Sequence, residues 1–196
     1  MECKLITRQY LKDIVKYETC IYKNDVIVSN TMFDAKIKKE PQYRIWKWQR
    51  CSRHCDYFRS QMYHRKGLFR IIAKLMYVYY IRTKHKLGES LGLEISTENI
   101  GKGLIVYHFN NVVNTCAIIG ENCHLHGTNV IGNIGPDDPT GCPTIGNNVM
   151  LGAGAKVLGR VTIADNIKIA AGAVVVHSFT EPGITIAGVP ARKVSK

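Results

Sequence analysis

The chain has no apolar run long enough to cross a bilayer. The longest, residues 68–81, has 14 residues and contains Arg70 and Lys74, short of the ~20 that a spanning helix needs. No apolar stretch follows the opening Met-Glu-Cys-Lys, so no secretory leader is expected. Paired cysteine spacing is also missing. Cys3, Cys20, Cys51, Cys55, Cys116, Cys123 and Cys142 form an odd set, which fits free thiols in a reducing cytoplasm better than a disulfide framework. Cys51 and Cys55 bracket His54, but no second ligand pair stands at zinc spacing, so no metal is expected. With 45% hydrophobic and 21% charged residues, disordered and collagenous classes drop out, and 196 residues suit one compact domain with an arm.

Acidic residues are scarce where basic ones gather. Residues 1–87 hold 20 Lys/Arg against 7 Asp/Glu, whereas residues 88–196 hold 7 against 8. The basic half reads as helical, because Leu68, Ile71, Ile72, Leu75, Val78 and Tyr79 recur at helical spacing. Breakers between Asn24 and Pro41 divide it into at least two helices. The expected organisation is a helical basic arm over 1–87 and a different architecture over 88–196.

Past residue 88 the period changes to six. Ile145, Leu151, Val157, Ile163, Ile169 and Val175 stand six apart without a miss, and Val113, Ile119, Leu125 and Ile131 keep the same step. Six is not a multiple of the 3.6-residue helical turn, and Gly, Asn and Asp at fixed phases argue against long flat strands. An inward apolar residue every sixth position, with a small residue often next, suits a chain that turns a corner after each short strand. Three such strands would close a coil of about 18 residues, stacked as in solenoids.

The period breaks twice. Ile100 and Val113 stand 13 apart, and Ile131 and Ile145 stand 14 apart. The first interval contains His108 and Asn110, and the second contains residues 133–143. Insertions in a regular wall leave it as bulges or loops, where scaffolds carry binding groups.

Several runs carry a resemblance. Ile119-Gly120-Glu121-Asn122-Cys123, residues 145–159 and Ala187-Gly188-Val189-Pro190-Ala191-Arg192-Lys193 look like the hexapeptide-repeat acyltransferases. Gly103-Leu104, Val106-Tyr107-His108 and Asn122-Cys123-His124-Leu125-His126 resemble serine acetyltransferase-like enzymes, including those of capsule and exopolysaccharide clusters. The resemblance implies a mainly β fold, a left-handed parallel β-helix. It also implies a homotrimer with active sites between subunits, and direct acetyl transfer from acetyl-coenzyme A to a hydroxyl.

A hydroxyl is a poor nucleophile near neutral pH, so attack on a thioester needs a base, and histidine has a suitable pKa. His108 matches the family's catalytic histidine, with packing in a subunit seam as its alternative. By the same resemblance Glu94 stands near the position of an orienting aspartate, with a solvated surface charge as its alternative. His126 follows His108 by nearly one coil height, so the two are expected as neighbours on one face, with a structural histidine in a subunit seam as the alternative for His126. His126, Asn110 and Cys142 are the expected acceptor-binding residues. Cys142 replaces a histidine that the serine enzymes carry before Pro-x-Ile-Gly. Ala153, Gly154, Ala171 and Gly172 would line the pantetheine arm, with Arg192 and Lys193 near the phosphates and Lys156 and Arg160 as weaker candidates. His54, His64, His85 and His177 are expected to be solvated.

The two departures, Cys142 and Glu94, lead to the expectation of an O-acetyltransferase acting on a sugar hydroxyl of a surface polysaccharide or its precursor. L-Serine, for cysteine synthesis, is the alternative acceptor. Residues 42–87 hold 12 Lys/Arg and one acid, either as the solvated basic face of an arm packed on its own trimer or as a charge that would draw the arm to a polyanion or to the anionic inner membrane face. No nucleic-acid-binding motif accompanies the charge, so nucleic acid is not expected as a partner.

Overall fold

The structure is a computed structural model that describes residues 5–22 and 41–195. The break expected between Asn24 and Pro41 lies outside the described residues, save that Pro41 opens a helix. The chain divides into two compact units, Met1–Ser90 and Leu91–Lys196.

The first unit contains α1 (Arg8–Ile21), α2 (Pro41–His64) and α3 (Gly67–Leu91). Thr7 caps α1, its hydroxyl accepting from the Tyr10 amide at 3.1 Å. Leu11, Ile14 and Glu18 form the buried stripe of α1, and a carboxylate in such a stripe needs a partner. Arg53 of α2 supplies it, donating to Glu18 from Nη2 at 2.7 Å and from Nε at 3.2 Å, with both side chains almost fully buried. The Trp46 indole donates to Thr19 Oγ1 and the Tyr22 hydroxyl to Gln49 Oε1. Polar pairs thus join α1 to α2 through a face that also buries Ile45 and Trp48.

Two expectations change here. Arg53, counted with the solvated basic face, is inside. His54, also expected in solvent, is half-buried and stacks on Tyr80 of α3 with ring centroids 4.8 Å apart. Burial holds its imidazole below the ordinary histidine range. Meanwhile the apolar stripe of α3 faces outward, because Leu68, Phe69, Ile71, Ile72, Leu75 and Tyr79 are all exposed. Ala73 and Tyr80 pack inward instead. Among the described residues, no helix is long and apolar enough to cross a membrane.

The second unit is a stack of short strands. They are β1 (Leu93–Ile95), β2 (Ile105–Val106), β3 (Asn111–Val113), β4 (Ile118–Ile119) and β5 (His124–Leu125). Next come β6 (Val130–Gly132), β7 (Thr144–Ile145), β8 (Met150–Leu151), β9 (Lys156–Leu158) and β10 (Thr162–Ile163). The last are β11 (Lys168–Ile169), β12 (Val174–Val175), β13 (Thr185–Gly188) and β14 (Ala191–Ser195). Successive strands from β2 to β12 visit three sheets in rotation, in the orders β1-β3-β6-β9-β12, β10-β7-β4 and β14-β13-β11-β8-β5-β2. Every pairing is parallel except the closing β13–β14 hairpin.

The six-residue repeat is therefore a wall whose inward residues form the core. Val113, Ile119, Leu125, Ile131, Ile145, Leu151, Val157, Ile163, Ile169 and Val175 are all buried. Small residues follow several of them for a steric reason. A Cβ on Gly120 would stand 2.6 Å from the backbone of Gly146, and one on Gly152 would stand 2.5 Å from the Ala171 amide. The fixed asparagines have a backbone reason: Asn122, Asn148 and Asn166 adopt φ of 55°, 55° and 61°, a left-handed turn that asparagine tolerates better than most residues.

Register locates the insertions. In β1 and β3, Leu93 stands opposite Asn111; in β2 and β5, Ile105 stands opposite His124; in β4 and β7, Ile118 stands opposite Thr144. The second of these steps is longer than the first by a single position, and the third is longer by a whole loop. One extra residue thus lies between Val106 and Val113, and the long excursion lies between β6 and β7.

Candidate functional site

The single extra residue decides who meets whom at the first break. His126 sits beside Tyr107 rather than His108. The Tyr107 amide donates to Leu125 O at 2.9 Å, and the Tyr107 and His126 rings lie 4.8 Å apart. The Tyr107 hydroxyl also hydrogen bonds to His124 Nδ1 at 3.2 Å. The expectation that His126 neighbours His108 is corrected: the coil here carries one residue more than a regular coil, so counting a regular coil misses the true neighbour by one position. Tyr107 is a site residue that the sequence reading passed over, although its place beside the insertion was visible.

His108 stands opposite Gly127. A Cβ on Gly127 would lie 2.7 Å from the His108 Cβ, and Gly127 has φ of 118°, so the histidine's position requires glycine beneath it. The imidazole is exposed, and among the described residues no side chain hydrogen bonds to it.

Its backbone is held from inside the wall. Asn111 Nδ2 donates to His108 O at 2.8 Å, and Asn111 Oδ1 accepts from the Asn129 amide at 3.1 Å. Asn129 Oδ1 accepts from the Gly127 amide at 3.0 Å, while its Nδ2 donates to Gly152 O at 2.7 Å. Both asparagines are fully buried. Their recurrence one coil apart, at one phase of the repeat, was the signal that could have found them.

Below His108 one corner of the wall repeats. Thr128 N donates to Phe109 O, Gly154 N to Gly127 O and Gly172 N to Ala153 O, at 2.9, 2.9 and 2.8 Å. The His108–Phe109 turn therefore shares a ridge with Ala153–Gly154 and Ala171–Gly172, with coils spaced by about 4.8 Å. Gly154 and Gly172 have φ of 73° and 69°, and a Cβ on Gly172 would meet nothing within 4 Å. Backbone is thus presented openly beneath the histidine, as close approach by a thin ligand requires. Lys156 is exposed on β9 near this ridge in sequence.

Other expected residues are placed differently. Glu94 is exposed on β1, in register with Val112, and makes no hydrogen bond to His108. Asn110 turns the chain at φ of 58° and packs over Gly92. Cys142 is only 8% exposed, which removes it from the surface an acceptor would touch. Arg160 is tied to Asp138 at 3.0 Å and so braces the 133–143 loop. Lys193 is tied to Glu181 at 2.6 Å, while Arg192 stays exposed on β14. His64, His85 and His177 are exposed.

The comparisons add names to this geometry. A family model described as bacterial transferase hexapeptide (six repeats) matches residues 142–177. A serine acetyltransferase of Synechococcus elongatus is 35% identical over 103 residues, covering 52% of this chain and 42% of that protein. The solved serine acetyltransferase of Neisseria gonorrhoeae is 26% identical with a TM-score of 0.64, covering 97% of this chain and 68% of that one. A solved serine acetyltransferase in complex with CoA, 18% identical, shares the fold at a TM-score of 0.62, covering 95% and 71%. This chain spans less than two thirds of the length of the curated relatives it matches. Relatives at 33–39% identity bear the serine acetyltransferase name, which overturns the expected sugar acceptor in a surface polysaccharide. A repeat wall in three parallel sheets, the hexapeptide model matched over residues 142–177 and these relatives agree: this chain carries a hexapeptide repeat and is similar to the serine acetyltransferases.

Proposed function

We propose that the protein transfers an acetyl group from acetyl-coenzyme A to the hydroxyl of L-serine, with His108 as general base. The observation that carries this reading is the shared ridge, on which an exposed imidazole stands about two coils above open backbone at Gly154. The small residues Ala153, Gly154, Ala171 and Gly172 suit the pantetheine arm, and the exposed cations Arg192 and Lys156 suit the phosphates. Lys193 would have to leave Glu181 to join them.

Acetyl-coenzyme A supplies the activated acyl group. His108 takes the proton from the serine hydroxyl as the oxygen attacks the thioester carbonyl, and returns it to the departing thiolate. The buried Asn111–Asn129 pair fixes the backbone beneath the base, and the Tyr107–His126 contact walls one side of the acceptor position. Glu94 is the proposed carboxylate for the imidazolium, closing on it once the acceptor is bound, since catalytic hydrogen bonds often tighten only in the complex. Thiol release from acetyl-coenzyme A, with L-serine, L-threonine and sugars as separate acceptors, tests the reading. Release is expected with L-serine above all others, and release only with a sugar would refute it.

The same proposal takes the wall as left-handed and the working state as a cytoplasmic homotrimer, supported by the exposed apolar wall residues Val112 and Ile118. It takes the arm as a peripheral anchor at an anionic membrane face. Residues 66–88 contain no acid, and cations Arg70 and Lys74 flank the exposed α3 stripe, a pattern suited to an anionic bilayer surface. Sedimentation of active protein with and without anionic vesicles checks both. A three-chain mass and salt-sensitive pelleting are expected, and an active monomer or salt-insensitive pelleting would count against them.

A further inference from the structure

Two cysteines meet at the foot of the long insertion. β4 and β7 are in register, Ile118 opposite Thr144, and the Ile118 amide donates to Pro143 O at 3.0 Å. Two positions before each strand residue stand Cys116 and Cys142, on neighbouring coils. Besides burial, the Cys116 thiol is one of the groups that hold the Cys142 thiol above its ordinary pKa, as a neighbour on the next coil would. Parallel neighbours about 4.8 Å apart fall inside the Cα separation of roughly 4.4–6.8 Å that a disulfide spans. The backbone is already set on both sides. The Cys116 amide donates to Asn114 Oδ1 at 3.0 Å, and Asn114 Nδ2 donates to Asn133 Oδ1 at 3.0 Å.

We propose that Cys116 and Cys142 form a redox-responsive thiol pair whose disulfide staples the 133–143 loop to the wall. Cys116 is half-exposed and Cys142 is buried, so a peroxide reaches Cys116 first. Cys116 ionises and its thiolate attacks one peroxide oxygen, breaking the O–O bond to give a sulfenic acid and a hydroxide, which takes up the proton the thiol released and leaves as one water. The Cys142 sulfur then attacks the Cys116 sulfur, its proton leaving with the displaced hydroxide as a second water. Two thiols are oxidised by two electrons and one peroxide is reduced. Burial holds the Cys142 thiol above its ordinary pKa, which suits a resolving partner better than a first nucleophile.

Beyond the Asn114–Asn133 hydrogen bond at its start, the loop is anchored by surface contacts. Arg160–Asp138 is an exposed ion pair, worth little on its own, and Asn133 Nδ2 bonds to Gly135 O within the loop. A covalent tie at its carboxy-terminal end would therefore change its freedom more than any contact now present. That this regulates acetyl transfer rests on the proposed function; that the bond forms does not.

The test uses the chain's one Asp–Pro bond, Asp138–Pro139, which mild acid cleaves. The carboxy-terminal fragment then contains Cys142 as its only cysteine. Full-length protein is treated with hydrogen peroxide, blocked with N-ethylmaleimide and cleaved. The two fragments should stay joined without reductant and separate with dithiothreitol, while those of Cys116→Ser should separate in either case. Fragments that separate after peroxide in the unsubstituted chain, or that stay joined in Cys116→Ser, would overturn the pair. Loops that leave a wall are where scaffolds carry binding groups, so on the proposed function turnover with L-serine should fall about tenfold on oxidation and return with dithiothreitol. Disulfide formation with unchanged turnover would overturn the regulatory half, whereas no turnover in reduced protein would sink the proposed function alone.

Discussion

His108→Ala lowers kcat with L-serine by about 10²- to 10⁴-fold, the usual worth of a general base. Affinity for coenzyme A, measured by calorimetry, stays within a few-fold, because the open backbone at Gly154 and Gly172 is about two and three coils from the missing imidazole. Glu94→Gln costs much less than His108→Ala, since no hydrogen bond joins Glu94 to His108 before substrate arrives. Its signature is a reduced kcat with an unchanged KM for acetyl-coenzyme A. A His108→Ala enzyme with near-normal kcat would move the base elsewhere, and His126, already in contact with Tyr107, would be tried next.

Arg53→Leu destabilises the helical unit by roughly 3–5 kcal/mol, the cost of leaving a buried charge without its partner. Glu18 is inside the α1–α2 face with its carboxylate bonded to two nitrogens of Arg53, and leucine offers it nothing. The check is urea unfolding followed by helical ellipticity. The companion is Glu18→Leu with Arg53→Leu, which removes both charges and should recover much of the loss. A single variant within about 0.5 kcal/mol of the parent would mean that water reaches Glu18, contrary to the burial described.

How far the sequence could be read depends on whether a feature is periodic. The inward column from Val113 to Val175 was legible because a solenoid repeats one demand, an apolar side chain at each turn of the wall. The position of His108 was legible because it breaks that repeat. Contacts between coils were harder, since they depend on exact offsets. A one-residue insertion exchanged the neighbour of His126 from His108 to Tyr107, and the long excursion after Gly132 brought Cys142 back beside Cys116. Arg53 and His54 were misplaced for another reason. Charge and ring composition describe a helix's contents, whereas their burial is set by what α1 and α3 lay against α2. The acceptor was misread because two substitutions, Cys142 and Glu94, were weighed against serine. Cys142 is buried, and the role proposed for Glu94 is toward the imidazolium, so neither substitution bears on which acceptor reaches the base.

The long insertion has a consequence for how such proteins can diversify. It leaves the wall after Gly132 and returns at Thr144, yet β6 and β7 go on to pair with β9 and β10 without a slip. Each coil answers only to its neighbours, so the stack above and below cannot sense how long the excursion is. Residues 133–141 are therefore exchangeable cargo on a fixed chassis. Loops of other lengths could be grafted between the same two strands to present new acceptor chemistry while the His108 ridge, set by different coils, keeps its geometry.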